Sequence, residues 1–289
     1  MKNTTIIAGE SAPLPQEIIQ KYGIKTVPFI IDWSGENAIS GENIYEKMRN
    51  AQRQGLKTTP KTSQPAIGVY KKAYDELLSQ NQDIICITVS SKISGTYNSA
   101  MQAKKMLNEE AQKKIFVLDS LNVDIGEGLL AIRAAELIER GSSAENAFKV
   151  LEELVPKVHL FVMVEDPRWL EAGGRISGAV AGVLEKMQGL GMRPVLGIKD
   201  GVVKPFTLKM QAKDTAGALF KEIGALIKKI PGKYYAAISH ADNINEAIRL
   251  EKMIEDKFPG TKMEFVNMTS FVIGAHVGPG TVLVCLLQD

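Results

Sequence analysis

The sequence is poor in cysteine, in aromatic residues and in charge of one sign. Only Cys86 and Cys285 occur among 289 residues, each inside an apolar run and without a Cys or His at metal-ligand spacing. That pattern argues against a zinc site and for two buried, reduced thiols. Aromatics make up 6% of the chain, and 35 basic against 33 acidic residues leave a formal charge of +2. Such a balance exerts no global pull on nucleic acid or on an anionic membrane, and no basic patch with interleaved aromatics is present. No run of 18 apolar residues exists, so no membrane-spanning helix is expected. The opening segment MKNTTIIAGE lacks the apolar stretch of a signal peptide, and a cytoplasmic protein is the expectation. Neither a Gly-x-Gly-x-x-Gly turn after the first apolar run nor a Walker A sequence appears, which removes the usual nucleotide cradles.

What the sequence has is core. Hydrophobic residues account for 45%, and the length favours two domains over one. In the first half, apolar β-branched runs alternate with helical patterns. Strands are expected over Lys2–Ile7, Ile24–Ile31, Asp83–Val89 and Ile115–Leu118. Helices are expected over Pro15–Tyr22, around Ile44, Met48 and Ala51, from Ile67 to Leu78, and over Gly95–Asn108, Gly126–Arg140 and Ala144–Leu154. Continuous apolar strands followed by helices imply a largely parallel sheet covered on both faces. Pro156 marks a boundary, giving an N-terminal α/β domain over 1–156 and a smaller C-terminal α/β domain over 157–289. In the second part Asp200-Gly201 stands between two apolar runs, a hairpin signal that brings antiparallel pairing and hence a mixed sheet. His159 and His240 lie in or beside strands and read as core or rim residues.

Four segments carry chemistry-bearing residues where strands hand over to helices or loops. Thr62-Ser63-Gln64-Pro65 is either a helix cap or a pair of hydroxyl donors. Ser90-Ser91, followed by Ser94-Gly95-Thr96-Tyr97, ends a buried strand in hydroxyls before a helix, where free N–H groups attract an anion; capping is the plainer alternative. Gly173-Gly174-Arg175-Ile176 is either a tight turn with an ion pair or a guanidinium presented to an anion. His276 stands in a Gly/Pro loop with Gly278-Pro279-Gly280, as a structural or a functional histidine.

In this order and spacing the four segments resemble the DegV family, over essentially the whole chain. Asp119-Ser120 with Gly126 and Gly128, and the Asp200-Gly201 hairpin, fit the same pattern. The resemblance implies a two-domain α/β protein with a long-chain fatty acid buried between the domains. It implies that Thr62 and Ser94 hydrogen-bond the carboxylate with His276 beside it, and that Ser63, Gly95, Thr96, Arg175 and Gly278 support the site. It also implies a non-catalytic lipid carrier, without metal or cofactor, that presents its ligand to a fatty acid kinase. Three places depart from the family pattern: Ala8-Gly9-Glu10 replaces Thr-Asp-Ser after the first strand, Lys209-Met210-Gln211 replaces an Arg-rich turn, and Asp124 replaces a small hydroxyl residue.

Physical chemistry accommodates such a ligand. Burying a tail of about fourteen methylenes, at roughly 0.8 kcal/mol each, is worth on the order of 11 kcal/mol before ordering costs. An unpaired buried carboxylate would forfeit much of that, so several donors are required. Adaptable walls are available in eleven methionines, among them Met187, Met192, Met263 and Met268. The rival expectation is an acyl hydrolase or acyltransferase with Ser94 as nucleophile and His276 as base. Against it, no Gly-x-Ser-x-Gly elbow occurs and no acid is placed behind His276.

Overall fold

The structure is a computed structural model that describes residues 3–56, 58–176, 178–189, 192–210 and 214–289. In chain order the elements are β1 (Thr4–Gly9), α1 (Gln16–Tyr22), β2 (Lys25–Val27), β3 (Ile30–Asp32), α2 (Ile44–Arg53), β4 (Lys61–Ser63), α3 (Ile67–Ser79), β5 (Asp83–Thr88), α4 (Thr96–Lys105), α5 (Glu109–Lys113), β6 (Ile115–Asp119), α6 (Ile125–Glu139) and α7 (Ala144–Leu154). They continue with β7 (Val158–Met163), α8 (Arg168–Ala172), α9 (Gly178–Gly189), β8 (Met192–Lys199), β9 (Val202–Met210), α10 (Thr215–Lys229), β10 (Tyr234–His240), α11 (Ile244–Lys257), β11 (Thr261–Met268), α12 (Phe271–Val277) and β12 (Val282–Gln288). No helix among the described residues is long and apolar enough to cross a membrane.

The chain forms two compact units: one of residues up to Ile30, Ser63–Val158 and Asp200–Val202, the other of Ile31–Thr62, His159–Lys199 and Val203–Asp289. The boundary expected after Pro156 falls close to the division at Val158. The excursion 31–62, which sequence reasoning assigned to the N-terminal domain, clusters with the second unit instead. Its reason is packing: Trp33, Ile39 and the α2 side chains Tyr45, Met48 and Ala51 form one buried cluster with Trp169 and Ala241. The run Ile24–Ile31 is also not one strand. Pro28, which has no N–H to give a ladder, separates β2 from β3, and the two strands belong to different sheets.

In the first unit the sheet has the order β2-β1-β5-β6 and every pairing is parallel. Both faces are covered, which is why β5 is apolar throughout: Ile84, Ile85, Cys86 and Ile87 are all buried. Tyr70, Ala73, Tyr74 and Leu77 of α3, with Ala100 and Ala103 of α4, pack on Ile7, Ile84, Cys86, Ile115 and Val117. The helix α6 is buried over nearly its whole length. Of Ser142 and Ser143, which the sequence offers equally as the cap of α7, it is Ser143 that accepts the Asn146 N–H, at 3.2 Å. Strand order reverses beside β1, with β2 on one flank and β5 on the other. Loops leaving the carboxyl ends of β1 and β5 therefore border the crevice where open α/β sheets hold ligands.

The second unit is built on a mixed six-stranded sheet of order β11-β10-β12-β7-β8-β9. Its β10 runs parallel to β11 and antiparallel to β12, and β7 is antiparallel to β8. Asp200 and Gly201 join β8 to β9 with φ of 55° and 80°, the paired left-handed geometry of the expected hairpin turn. Leu219 and Ile223 of α10 and Ala247, Leu250 and Ile254 of α11 cover Tyr234, Ala236, Ile238, Val284 and Leu286. Cys86 and Cys285 are buried thiols outside any disulfide, as expected. Lys2, Ser177, Gly191 and Gln211 of the expected segments lie outside the described residues.

The loop after β1 is held by an acid that the sequence pattern did not single out. Glu127 of α6 is fully buried; Gly9 N–H donates to its Oε1 at 3.1 Å and the Ser11 hydroxyl donates to its Oε2 at 2.7 Å. This is how the chain organises the turn in which Ala8-Gly9-Glu10 departs from the family pattern. Burial pushes the Glu127 pKa up to about 8, with the Asp124 charge adding to the rise and the two hydrogen bonds opposing it. The folded carboxyl thus keeps its proton up to about pH 8, whereas an unfolded glutamate loses it near 4.5. Its contribution to stability is greatest below that lower value and is lost as pH rises toward the upper one. Glu127→Gln keeps an acceptor for Gly9 and offers Ser11 a donor. The variant is expected to gain stability relative to the parent as pH rises from about 5 to about 8, measured as urea midpoints; a constant difference across that range would show that the carboxyl titrates as if solvated.

Candidate functional site

Thr62 and His276 come together in the second unit: Thr62 Oγ1 lies 2.6 Å from His276 Nε2. Thr62 is half-buried in the short strand β4, which pairs with β3 in a two-stranded ribbon. Neither Thr62 nor Ser63 caps the following helix, because α3 begins at Ile67 with Ala66 at the cap position and no side-chain cap bond. The capping alternative for this segment therefore falls away. Ser63 is exposed.

His276 is not in a loop. It lies on α12, a seven-residue helix that Ser270 starts by accepting the Ile273 N–H at 3.3 Å, and that ends at Gly278 with φ of 76°. The glycines that suggested a loop serve close packing. A Cβ at position 274 would collide with the Tyr45 ring, whose hydroxyl donates to Thr269 O at 2.8 Å, and a Cβ at 278 would collide with Trp169. These contacts press α12 against α2 and α8 and bury the imidazole to 8% exposure.

Burial fixes the charge of that ring. Desolvation, with the nearby Arg175 guanidinium as a second cause, pushes the His276 pKa down to about 4, so the imidazole is neutral at pH 7. Arg175 is itself half-buried; its Nη1 donates to Gly173 O at 2.5 Å. Gly173 lies so close to the ring that a Cβ there would strike Nδ1, and Nδ1 has no hydrogen-bond partner among the described residues. A buried N–H without an acceptor costs more than a bare ring nitrogen. We therefore assign the single proton to Nε2, which donates it to Thr62 Oγ1. The Thr62 hydroxyl hydrogen then has no acceptor among the described residues and remains available to a ligand.

In the first unit, Ser94 occupies the loop after β5, at the crevice flank described above. Its Oγ accepts the Thr96 N–H at 3.3 Å and the Thr96 hydroxyl at 3.2 Å, while Thr96 Oγ1 also approaches Val89 O at 3.3 Å. Ser94 thus shapes the turn into α4 by accepting the Thr96 N–H. Gly95 admits the Gln64 side chain: a Cβ there would lie 2.7 Å from Gln64 Nε2. Among the described residues no group of acidic, cysteine or histidine side chains could hold a metal ion.

The model of the family described as "Uncharacterised protein, DegV family" matches residues 3–289. The chain belongs to the DegV family. The curated Protein DegV of Bacillus subtilis is 29% identical over 291 residues, covering 98% of each chain. Among solved structures, DegV of Bacillus subtilis, described as a fatty acid binding protein, superposes with a TM-score of 0.79 at 28% identity, covering 99% of each chain. A DegV family protein from Thermus thermophilus, described by its fatty acid binding, gives 0.82 at 26% identity over 99% of this chain and 100% of that one. A Thermotoga maritima protein whose structure is described as revealing a fatty acid binding function gives 0.80 at 27% identity, over 99% of each chain.

Against this DegV frame, the second unit joins Thr62, His276, Arg175 and Gly278 as one constellation, and the first unit places Ser94, Gly95 and Thr96 in a single turn. Sequence reasoning missed Gly173 as the residue that seals the imidazole, and Tyr45 and Trp169 as the walls behind α12. The only signal for Gly173 was its place beside Gly174-Arg175. His276 makes a poor general base: its Nε2 is engaged with Thr62 and its Nδ1 is sealed by Gly173. In solution the His276 ring is expected to stay neutral down to about pH 4, and Arg175→Met is expected to raise its titration midpoint by removing a repelling charge. Imidazole NMR shifts against pH report both; a midpoint unmoved in the variant would remove Arg175 from the electrostatics of the site.

Proposed function

We propose that this protein binds a long-chain fatty acid as a non-catalytic carrier and holds the carboxylate through the Thr62 hydroxyl, with Ser94 as a further donor. In this reading His276 acts on the ligand by fixing the direction of the Thr62 hydroxyl. Arg175 supplies positive charge nearby, and Ser63, Gly95, Thr96 and Gly278 support the two donor segments. The observation that carries the proposal is the Thr62–His276 hydrogen bond, which, with the ring proton on Nε2, leaves one oriented and unspent O–H donor beside a half-buried guanidinium. An acceptor-only, negatively charged group is its natural complement. The descriptions of the Bacillus, Thermus and Thermotoga relatives as fatty acid binding supply the rest of the ligand, an apolar tail. The carrier requires no cofactor of its own and would present the exposed carboxyl to a fatty acid kinase that forms the acyl phosphate.

The hydrolase reading is weaker on the same geometry, because His276 Nε2 is engaged with Thr62 and its bare Nδ1 is closed off by Gly173, which leaves no nitrogen open to a nucleophile.

Native mass spectrometry of protein purified from a bacterial host is expected to show one bound fatty acid. Protein that emerges empty and ignores added fatty acid would overturn the proposal. Thr62→Val and Ser94→Ala are each expected to weaken the acid by about tenfold or more, the value of a charge-assisted hydrogen bond, and to weaken its methyl ester less. Equal losses for acid and ester would remove the residue from the head-group role.

A further inference from the structure

The carboxyl ends of β10 and β11 border a cavity of about 590 Å³ in the second unit that the fatty acid reading does not use. The two strands are parallel and α11 connects them, so the cavity occupies the place where a βαβ crossover opens toward ligands. His240, the last residue of β10, lines it and is 5% exposed. The Asn243 N–H donates to His240 Nδ1 at 3.2 Å, which leaves the ring proton on Nε2. Burial lowers the His240 pKa, the Asp242 charge opposing it, and the neutral form is the one this bond requires. The Nε2–H has no hydrogen-bond partner among the described residues.

The same cavity receives the start of α11, a fourteen-residue helix whose cap residue Asn243 makes no side-chain cap bond. Asn243 Nδ2 donates to Gly280 O at 2.8 Å instead. The leading N–H groups of α11, at Ile244 and Asn245, are therefore without a side-chain cap at the positive end of the helix dipole, and both residues line the cavity. Asp242 also borders the cavity, and its Oδ2 is paired with Arg49 Nε at 3.7 Å. On the other side stand apolar side chains: Ile244 and Met268 are 46% and 43% exposed, and Val266 lies beside them.

We propose that this cavity is a second ligand site, which takes the phosphate group of a small organic phosphomonoester. His240 Nε2–H and the first N–H groups of α11 donate to the phosphate oxygens, while the organic part rests on Ile244, Val266 and Met268. Multiple donors converging at a helix start suit a phosphate oxyanion, and the apolar wall distinguishes an organic ester from the free ion. The site is independent of the fatty acid, and its test is separable from the one above.

Phenyl phosphate, inorganic phosphate and phenol are titrated into the protein as purified, with backbone amide NMR of Asn245 and Glu246 as the readout. Phenyl phosphate is expected to shift both resonances saturably, inorganic phosphate to shift them with weaker affinity, and phenol to leave them in place. His240→Asn keeps an acceptor near the Nδ1 position and deletes the Nε2 donor. Asn245→Asp changes an exposed residue, favours the helix start, and adds a like charge at the cavity. Both variants are expected to weaken phenyl phosphate tenfold or more while native mass spectrometry shows unchanged fatty acid occupancy. Absent or unsaturable shifts, phenol binding equal to that of phenyl phosphate, or undiminished affinity in Asn245→Asp would overturn the proposal.

Discussion

In the proposed carboxylate site the chemistry depends on the position of one proton, on the His276 ring that burial keeps neutral at pH 7. If the His276 ring carried its proton on Nδ1, Nε2 would accept the Thr62 hydroxyl hydrogen. Thr62 would then present lone pairs to an incoming carboxylate, and repulsion would replace attraction. With the proton on Nε2, the same 2.6 Å contact leaves Thr62 as a donor. What selects between the two is the space around Nδ1. Gly173 closes that side with backbone and offers no acceptor, so the tautomer with a bare Nδ1 has the lower cost. A glycine that merely looks permissive thereby determines the polarity of a hydroxyl on another element.

The neutral imidazole also divides the work between charge and direction. Arg175 stands close enough to depress the His276 pKa, so a second cation at this place would be opposed. Positive charge comes from the guanidinium, and orientation from the imidazole and the threonine. In the proposed carrier, whose ligand would later react at its carboxyl group, this division would be useful. Hydrogen bonds place the group at one depth, while charge that does not form a tight bidentate pair leaves its oxygens less committed.

Glu127 and His240 show the same physics at two other strand ends. Each is a buried titratable group held in its neutral form by desolvation, and each engages backbone next to the carboxyl end of a strand. Their positions differ in what remains unspent. Both oxygens of Glu127 are occupied by Gly9 and Ser11, so it shapes a loop. His240 has one satisfied nitrogen, its Nε2–H bonds no described residue, and it lines a cavity, which is why the second ligand site is proposed there.

Much of the architecture was legible in the sequence because it depends on local and periodic features. Apolar β-branched runs marked the buried strands and Asp200-Gly201 marked a hairpin, each through backbone preferences that act over a few residues. The segments around Thr62, Ser94 and His276 were legible as groups of residue types. Their mutual arrangement was not. That His276 lies on a helix follows from Tyr45 and Trp169 packing against Gly274 and Gly278, contacts between residues more than a hundred positions apart. The assignment of residues 31–62 to the second unit likewise comes from Tyr45 and Met48 meeting Trp169. Sequence alone determined which donors and apolar runs this chain owns; only tertiary packing decided which nitrogen is sealed, which hydroxyl stays free and which acid keeps its proton, because desolvation and steric exclusion are set by neighbours in space and not along the chain.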